Sequence, residues 1–292
     1  MSIWSPLVIA GFIWALVPLL AFGLAGARIG SWVNRQPLIL RILFPALLGM
    51  PYVWVALNAA ALRLEWLAVY FLLPVGVAAV LADAARRDPE QRGTWGDFAI
   101  VLVLGCAVDL RWFDVAWPAH LSVLSKLILL DTGLYGLGAI RQLSEVGYDL
   151  RVRGQDFLIG LRELFFYAPI AVPLGLVLGF LHWRGSIPKP GLIAETWLFT
   201  FFFIAIPEEI YFRGWMQNLL ERRVGGTWSL LITAAIFGLA HFNKRATSFN
   251  WRYVLLAAVA GIFYGRAWRA RRRIASSAIT HATVDAVWSL WL

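Results

Sequence analysis

Two adjacent carboxylates and an arginine interrupt a long apolar stretch. Glu208, Glu209 and Arg213 all fall between Trp197 and Leu220. A charged side chain at the centre of a bilayer costs about 2.5–3.5 kcal/mol on insertion scales. Three of them in six residues are therefore not spare solvation. On a helix Glu209 and Arg213 are four apart and share a face, so they can pair. Glu208 points about 100° away from Glu209. The spacing predicts one carboxylate neutralised by the arginine and another free for chemistry.

Further polar groups follow in separate apolar runs. His241 closes the stretch Phe237-Gly238-Leu239-Ala240-His241, and His281 stands four residues before Asp285. Histidine and aspartate at i,i+4 share a helix face, and an aspartate can orient a histidine. Each feature alone has a bland reading. A buried histidine can hold helices together, a Glu–Arg pair can be structural, and Gly261-xxx-Gly265 allows close helix packing. The arginines from Arg266 to Arg273 can be a topology anchor. In combination, polar groups on three apolar helices must converge on one interior cavity, because lipid would leave them unpaired. A glutamate with one or two histidines can activate water as a general base, with histidine as partner or oxyanion stabiliser. The set Glu208, His241 and His281 can instead hold a divalent metal such as zinc that activates the water. The sequence has no His-Glu-x-x-His and no Gly-x-Ser-x-Gly. Ser276 and Ser277 are hydroxyl candidates, expected near the membrane surface beside the basic cluster.

The elements that position these groups are membrane helices. The chain has 292 residues, 60% hydrophobic and 15% charged, with a mean hydropathy of +0.70. A soluble domain is about 45–50% apolar and about 25% charged. The fold class is therefore all-α, a polytopic integral membrane helix bundle. About ten apolar segments are visible, and about eight to ten transmembrane helices are expected. The runs 97–113 and 119–139 are the weakest, because Asp109, Arg111, Lys126 and Asp131 interrupt them. The net charge of +9 reports membrane-facing loops and contact with anionic lipid, not nucleic-acid binding. A single cysteine, Cys106, excludes an internal disulfide and a multi-cysteine metal site.

Three regions are expected: 1–140, an apolar N-terminal region of unknown role; 141–162, an amphipathic surface helix or cytoplasmic linker; and 163–292, the core that bears the chemistry. With ten spans, the odd-numbered connections hold most of the arginines, including Arg86, Arg87, Arg92, Arg151, Arg153, Arg222, Arg223 and Arg269–Arg273. The positive-inside rule then places those connections in the cytoplasm and both termini outside. His241 would lie toward the outer side.

These residues resemble the CPBP family of intramembrane proteases, also called the ABI or CAAX-protease family. Its motif Glu-Glu-x-x-x-Arg is matched by Glu208, Glu209 and Arg213, its Phe-x-x-x-His by Phe237 and His241, and its His-x-x-x-Asn/Asp by His281 and Asp285. Three motifs in order, each in its own apolar run, make the resemblance specific. It covers roughly the stretch from 160 to the end, and the N-terminal half has no such match. The resemblance implies a helical membrane core that cleaves peptide bonds in or beside the bilayer. The family includes the type II endopeptidases that trim prenylated CAAX proteins. By carry-over, Glu208 and His241 would activate water, His281 and Asp285 would support the oxyanion, and Glu209 and Arg213 would organise the site. Both a metal-dependent and a metal-free glutamate mechanism are associated with the family. The CAAX-processing branch has Asn where this chain has Asp285. An ionised aspartate cannot donate to an oxyanion. Asp285 is then protonated, or orients His281, or ligates a metal.

The expected function is an intramembrane endopeptidase of glutamic or metal-assisted type. Its partners would be a membrane protein or lipidated peptide as substrate and membrane lipids, with no nucleic acid. The expected location is a bacterial cell membrane, crossed several times. A non-catalytic scaffold or immunity-type protein would use the same residues only to hold helices together. An ion-coupled transporter would use them as a proton relay, but would show inverted repeats, and the sequence has no such symmetry.

Overall fold

A computed structural model describes residues 5–185 and 187–292. The first four residues of the expected 1–140 region, and residue 186 in the expected core, lie outside the described residues. Among those described there are helices and turns and no strand. The chain divides into two compact units, Met1–Ser144 and Glu145–Leu292.

The first unit contains α1 (Pro6–Asn34), α2 (Leu38–Leu43), a 3₁₀ stretch Phe44–Gly49, α3 (Met50–Asn58), α4 (Leu64–Arg87), α5 (Trp95–Asp109) and α6 (Val123–Gly133). The helix then widens into a π turn over Leu134–Ile140. Ser5 caps α1, accepting the Val8 N–H, and Pro6 suits its first turn. An aromatic cluster lies in this unit. Tyr52 stacks on Tyr70 at 5.0 Å, and Trp117 meets Tyr70 edge-on at 5.5 Å. Arg141 is the unit's polar staple. Its side chain is buried, 2.9 Å from Asp97 Oδ1 and 2.7 Å from Asp88 Oδ2. Asp97 also closes a capping box with Thr94. One carboxylate thus starts α5 and holds the end of the π turn.

The second unit starts with turn and coil, and of the stretch 141–162 the part from residue 154 on is helical. Helix α7 begins at Gly154 and runs Gly154–Val177. Upstream, Gln142, Glu145 and Gly147 all have left-handed backbone, with φ of 48°, 61° and 75°. Three such residues close together break any right-handed helix. The Asp156 carboxylate accepts the Arg153 N–H at 2.9 Å and sets the start of α7.

A long helical path follows, made of α8 (Pro190–Thr200), a π segment Phe201–Ala205, α9 (Ile206–Glu209), a second π segment Ile210–Gln217, and α10 (Asn218–Leu239). It bends at Gly225, whose φ of 76° and ψ of 169° suit glycine. The limbs 190–224 and 226–239 are thus separate. The unit ends with α11 (Trp251–Arg271) and α12 (Ile274–Trp291). Helix α11 packs against α10, with Gly261 against the Ala234 backbone and Gly265 against Leu230 and Gln217. A Cβ at either glycine would collide with these neighbours. Helix α12 packs against α7, α8 and α11.

Each of the ten apolar runs is mainly helical. Among the described residues, six helical stretches are long and apolar enough to cross a membrane: Pro6–Asn34, Leu38–Asn58, Leu64–Arg87, Ala119–Ile140, Gly154–Val177 and Pro190–Leu239. The last contains the Gly225 bend. Helix α5 is shorter, at 15 residues. Helices α11 and α12 carry the arginines and the site's polar groups, which lower their hydropathy. The protein is a multi-pass integral membrane protein.

Candidate active site

Glu208 and Glu209 lie on the one turn of α-helix between the two π segments. A π turn inserts a wide turn into an α-helix and is frequent at functional sites. Its weaker geometry must be offset by side-chain contacts, and Glu209 supplies several. Glu209 is fully buried, and Arg213 Nε donates to its Oε2 at 3.0 Å, also without exposure. The Ser277 hydroxyl bonds the same oxygen. His281 Nδ1 lies 2.8 Å from Oε1. Arg213 has further company in Gln217, 3.4 Å from Nη1, and in the face of Phe237, 5.3 Å from Cζ. Breaking one side of such a buried pair costs about 3–5 kcal/mol, because the other charge stays buried alone.

Glu208 sits differently. Its side chain is 28% exposed, and Oε2 is buried with no hydrogen-bond partner among the described residues. Oε2 is 3.9 Å from His281 Nε2, and Oε1 is 3.9 Å from Lys244 Nζ. Asp285 Oδ2 is 3.5 Å from the same His281 Nε2. One imidazole therefore faces Glu209 on one side, and Glu208 with Asp285 on the other. Tyr264 stacks on the His281 ring at 4.6 Å and 15°, and Phe237 meets it edge-on at 5.7 Å. The ring has little freedom to turn.

His241 follows the end of α10. Its Nδ1 lies 2.8 Å from the Phe237 carbonyl oxygen. A carbonyl only accepts, so Nδ1 carries the proton and Nε2 keeps its lone pair in the neutral ring. Tyr253 covers this ring at 4.7 Å. Both histidines and Asp285 line a cavity of about 90 Å³, with Tyr167, Tyr253 and Ala260 among its walls. A water needs about 10–15 Å³ of such space, so several fit.

The cavity belongs to one end of the unit. Its lining includes Phe180, Trp288 and Leu292, and the Leu292 carbonyl accepts the His182 N–H. The Arg266–Arg273 cluster lies at the other ends of α11 and α12.

Residues 190–287 match the family described as "Type II CAAX prenyl endopeptidase Rce1-like". This stretch is an Rce1-like domain. No curated protein and no solved structure matches the chain. The matched stretch covers about a third of the chain and spans the three motifs from Glu208 to Asp285.

Within the Rce1-like domain all seven motif residues come together. Glu209 and Arg213 pair as their spacing predicts, and so do His281 and Asp285. Among the described residues, no group of three His, Cys, Asp or Glu side chains is placed to hold a metal ion. Ser276 and Ser277 are both fully buried inside the protein. Ser276 donates to Asp156 at 2.7 Å, and Ser277 bonds Glu209. The first turn of α12 is packed against α7 and α11, which the adjoining arginines disguised. Sequence reasoning missed Ser277 as a partner of Glu209, and it missed Tyr264 and Tyr253 as covers for the histidines. Tyr264 stands inside Gly261-xxx-Gly265, where close packing was the one available signal.

Proposed function

We propose that the protein is an endopeptidase that hydrolyses a peptide bond of a membrane-associated protein or lipidated peptide, using water activated by Glu208 and His241. The observation that carries this reading is the bare Glu208 Oε2, buried beside His281 Nε2 yet bonded to nothing among the described residues. A buried carboxylate oxygen without a partner is costly, and an attacking water would satisfy it.

Glu208 takes the proton from this water as its oxygen attacks the scissile carbonyl carbon. His241 Nε2, left as an acceptor by the Phe237 carbonyl, holds the water's second hydrogen. The carbonyl oxygen gains negative charge and accepts from His281 Nε2–H. His281 then donates from both nitrogens, a doubly protonated ring flanked by Glu209 and Asp285. Asp285 orients His281 rather than donating to the oxyanion itself. Glu208 passes its proton to the leaving amine as the C–N bond breaks. The largely apolar lining of the cavity favours apolar side chains next to the cut bond.

Profiling of protein termini in membranes of the wild type and of a Glu208→Ala strain tests this. A membrane-associated protein should lose a processed terminus in the variant. Identical terminal peptides in both strains would sink the proposal and favour a scaffold held together by the Glu209 network.

A further inference from the structure

At the opposite end of the second unit from the candidate active site, four arginines surround an open cavity of about 340 Å³. Arg162 comes from α7, Arg266 and Arg269 from α11, and Arg272 from the residue that follows it. The floor is Glu163, whose side chain is fully buried. Arg162 Nη2 donates to Glu163 Oε1 at 2.7 Å, and Arg266 Nε lies 2.9 Å from Oε2. Glu221 anchors Arg272 from outside with two bonds, at 2.8 and 2.9 Å. The carboxylates hold the guanidinium groups in place without filling the cavity. Neither Nη of Arg266 makes a hydrogen bond among the described residues. Four guanidinium groups against the carboxylates of Glu163, Glu221 and Glu145 leave a net positive charge, and fixed guanidinium forks suit phosphate oxygens.

The surroundings identify the source of the phosphate. Arg162 lies on the outward face of α7 among Leu158, Leu161, Phe165 and Phe166, all exposed, with Leu158 at 71% and Phe165 at 74%. Arg266 rests over the rings of Phe166 and Phe263, at 5.8 and 5.4 Å. The cavity thus adjoins an apolar face suited to acyl chains. Arg162 is eight residues from the start of α7, about 12 Å along it. That is a plausible depth for a headgroup near the end of a spanning helix. A soluble phosphate would gain nothing from the exposed phenylalanines.

We propose that this cavity binds the phosphodiester headgroup of an anionic phospholipid, whose acyl chains lie along the Leu158–Phe166 face of α7. The lipid joins α7 to α11. These two helices also line the catalytic cavity, through Leu164 and Tyr167 on one and Ala260 and Tyr264 on the other.

The test uses the full chain in nanodiscs of phosphatidylcholine with phosphatidylglycerol of the same acyl chains. Lipid retained after release is read by native mass spectrometry. Phosphatidylglycerol should be retained in preference to phosphatidylcholine. Arg162→Gln and Arg269→Gln should each lower this retention about fivefold, as expected for one arginine at an anionic surface. Both keep the Arg266–Glu163 pair and are less prone to unfold than Arg266→Gln. Arg86→Gln, an exposed arginine of the first unit, should leave retention unchanged. Equal retention of the two lipids, no loss in the variants, or an equal loss in Arg86→Gln would overturn the site. Displacement of the lipid by millimolar inorganic phosphate would overturn the lipid in favour of a small anion.

Discussion

His281 Nδ1 lies 2.8 Å from Glu209 Oε1, across 72 residues of sequence. Glu209 is also the carboxylate that takes Arg213 and Ser277. The histidine facing the cavity is therefore aimed by the group that makes the helix's charge tolerable. Glu209→Gln should lower stability by about 3–5 kcal/mol, because Arg213 stays buried without its counter-ion. Ser277→Ala should cost less, about 1.5–3 kcal/mol for a hydrogen bond to a charged group. Thermal unfolding in detergent measures both, and the order of the two losses is the point at issue.

Glu208 should behave in the opposite way. Glu208→Gln keeps the shape and removes the base. Cleavage should fall by at least about 10²-fold, the low end for general acid–base catalysis. The unfolding temperature should stay near that of the wild type. A variant that still cleaves at the wild-type rate would remove Glu208 from the chemistry.

Asp285 should tolerate asparagine better than alanine. In the proposed role its Oδ2 accepts from His281 Nε2–H in the resting site, until the oxyanion takes that N–H, and asparagine keeps an acceptor oxygen there. Asp285→Asn should retain most of the turnover, and Asp285→Ala should lose about tenfold, the equivalent of one orienting hydrogen bond. Single-turnover assays of the two variants compare them directly. Equal losses would mean that the charge of Asp285, not its acceptor oxygen, matters.

The sequence carries local pairings and hides distant ones. Glu209–Arg213 and His281–Asp285 follow from helical spacing alone. His281–Glu209 joins different helices, and no pattern in either one indicates which carboxylate the ring will face. The helices were legible because apolar runs report them. The π segments around Glu208 were not, since Phe201–Ala205 and Ile210–Gln217 read as ordinary apolar helix. The turns before α7 were illegible for a related reason. Gln142 and Glu145 adopt left-handed backbone without being glycine, and only Gly147 signals the break. Tyr264, His281 and Asp285 have a clear cause once packed: they face one another and the cavity.

The side on which the cavity opens can be read with one cysteine. Asn243 is exposed in the loop after His241. The cavity lies at the end away from the Arg266–Arg273 cluster, and the positive-inside rule places that cluster in the cytoplasm. Asn243→Cys in a Cys106→Ala background should react with a membrane-impermeant maleimide added outside. Reaction only after the inner face is opened would reverse the orientation.

The staple of the first unit should respond to acid. Burial opposes ionisation of Asp88, but the N–H groups of Arg92 and Gly93 and the Arg141 guanidinium outweigh it, holding the carboxyl below its ordinary value. A lowered folded-state value means that the stabilisation is complete above about pH 4, the ordinary aspartate value. It is lost as pH falls through the lower folded value. Asp88→Asn should therefore flatten the acid side of the unfolding-temperature profile. An unchanged acid limb in that variant would rule out Asp88 as its source.

The two π segments give the glutamate pair a register of its own. Returning either one to α-helix would slip the residues on one side by one position relative to the other, turning Glu208 away from the His281 ring. The bonds from Glu209 to Arg213, Ser277 and His281 thus work as a latch on a helix that would otherwise wind more tightly. An amino-acid deletion within 201–205, which touches no motif residue, would dial the base out of alignment as surely as removing its carboxylate.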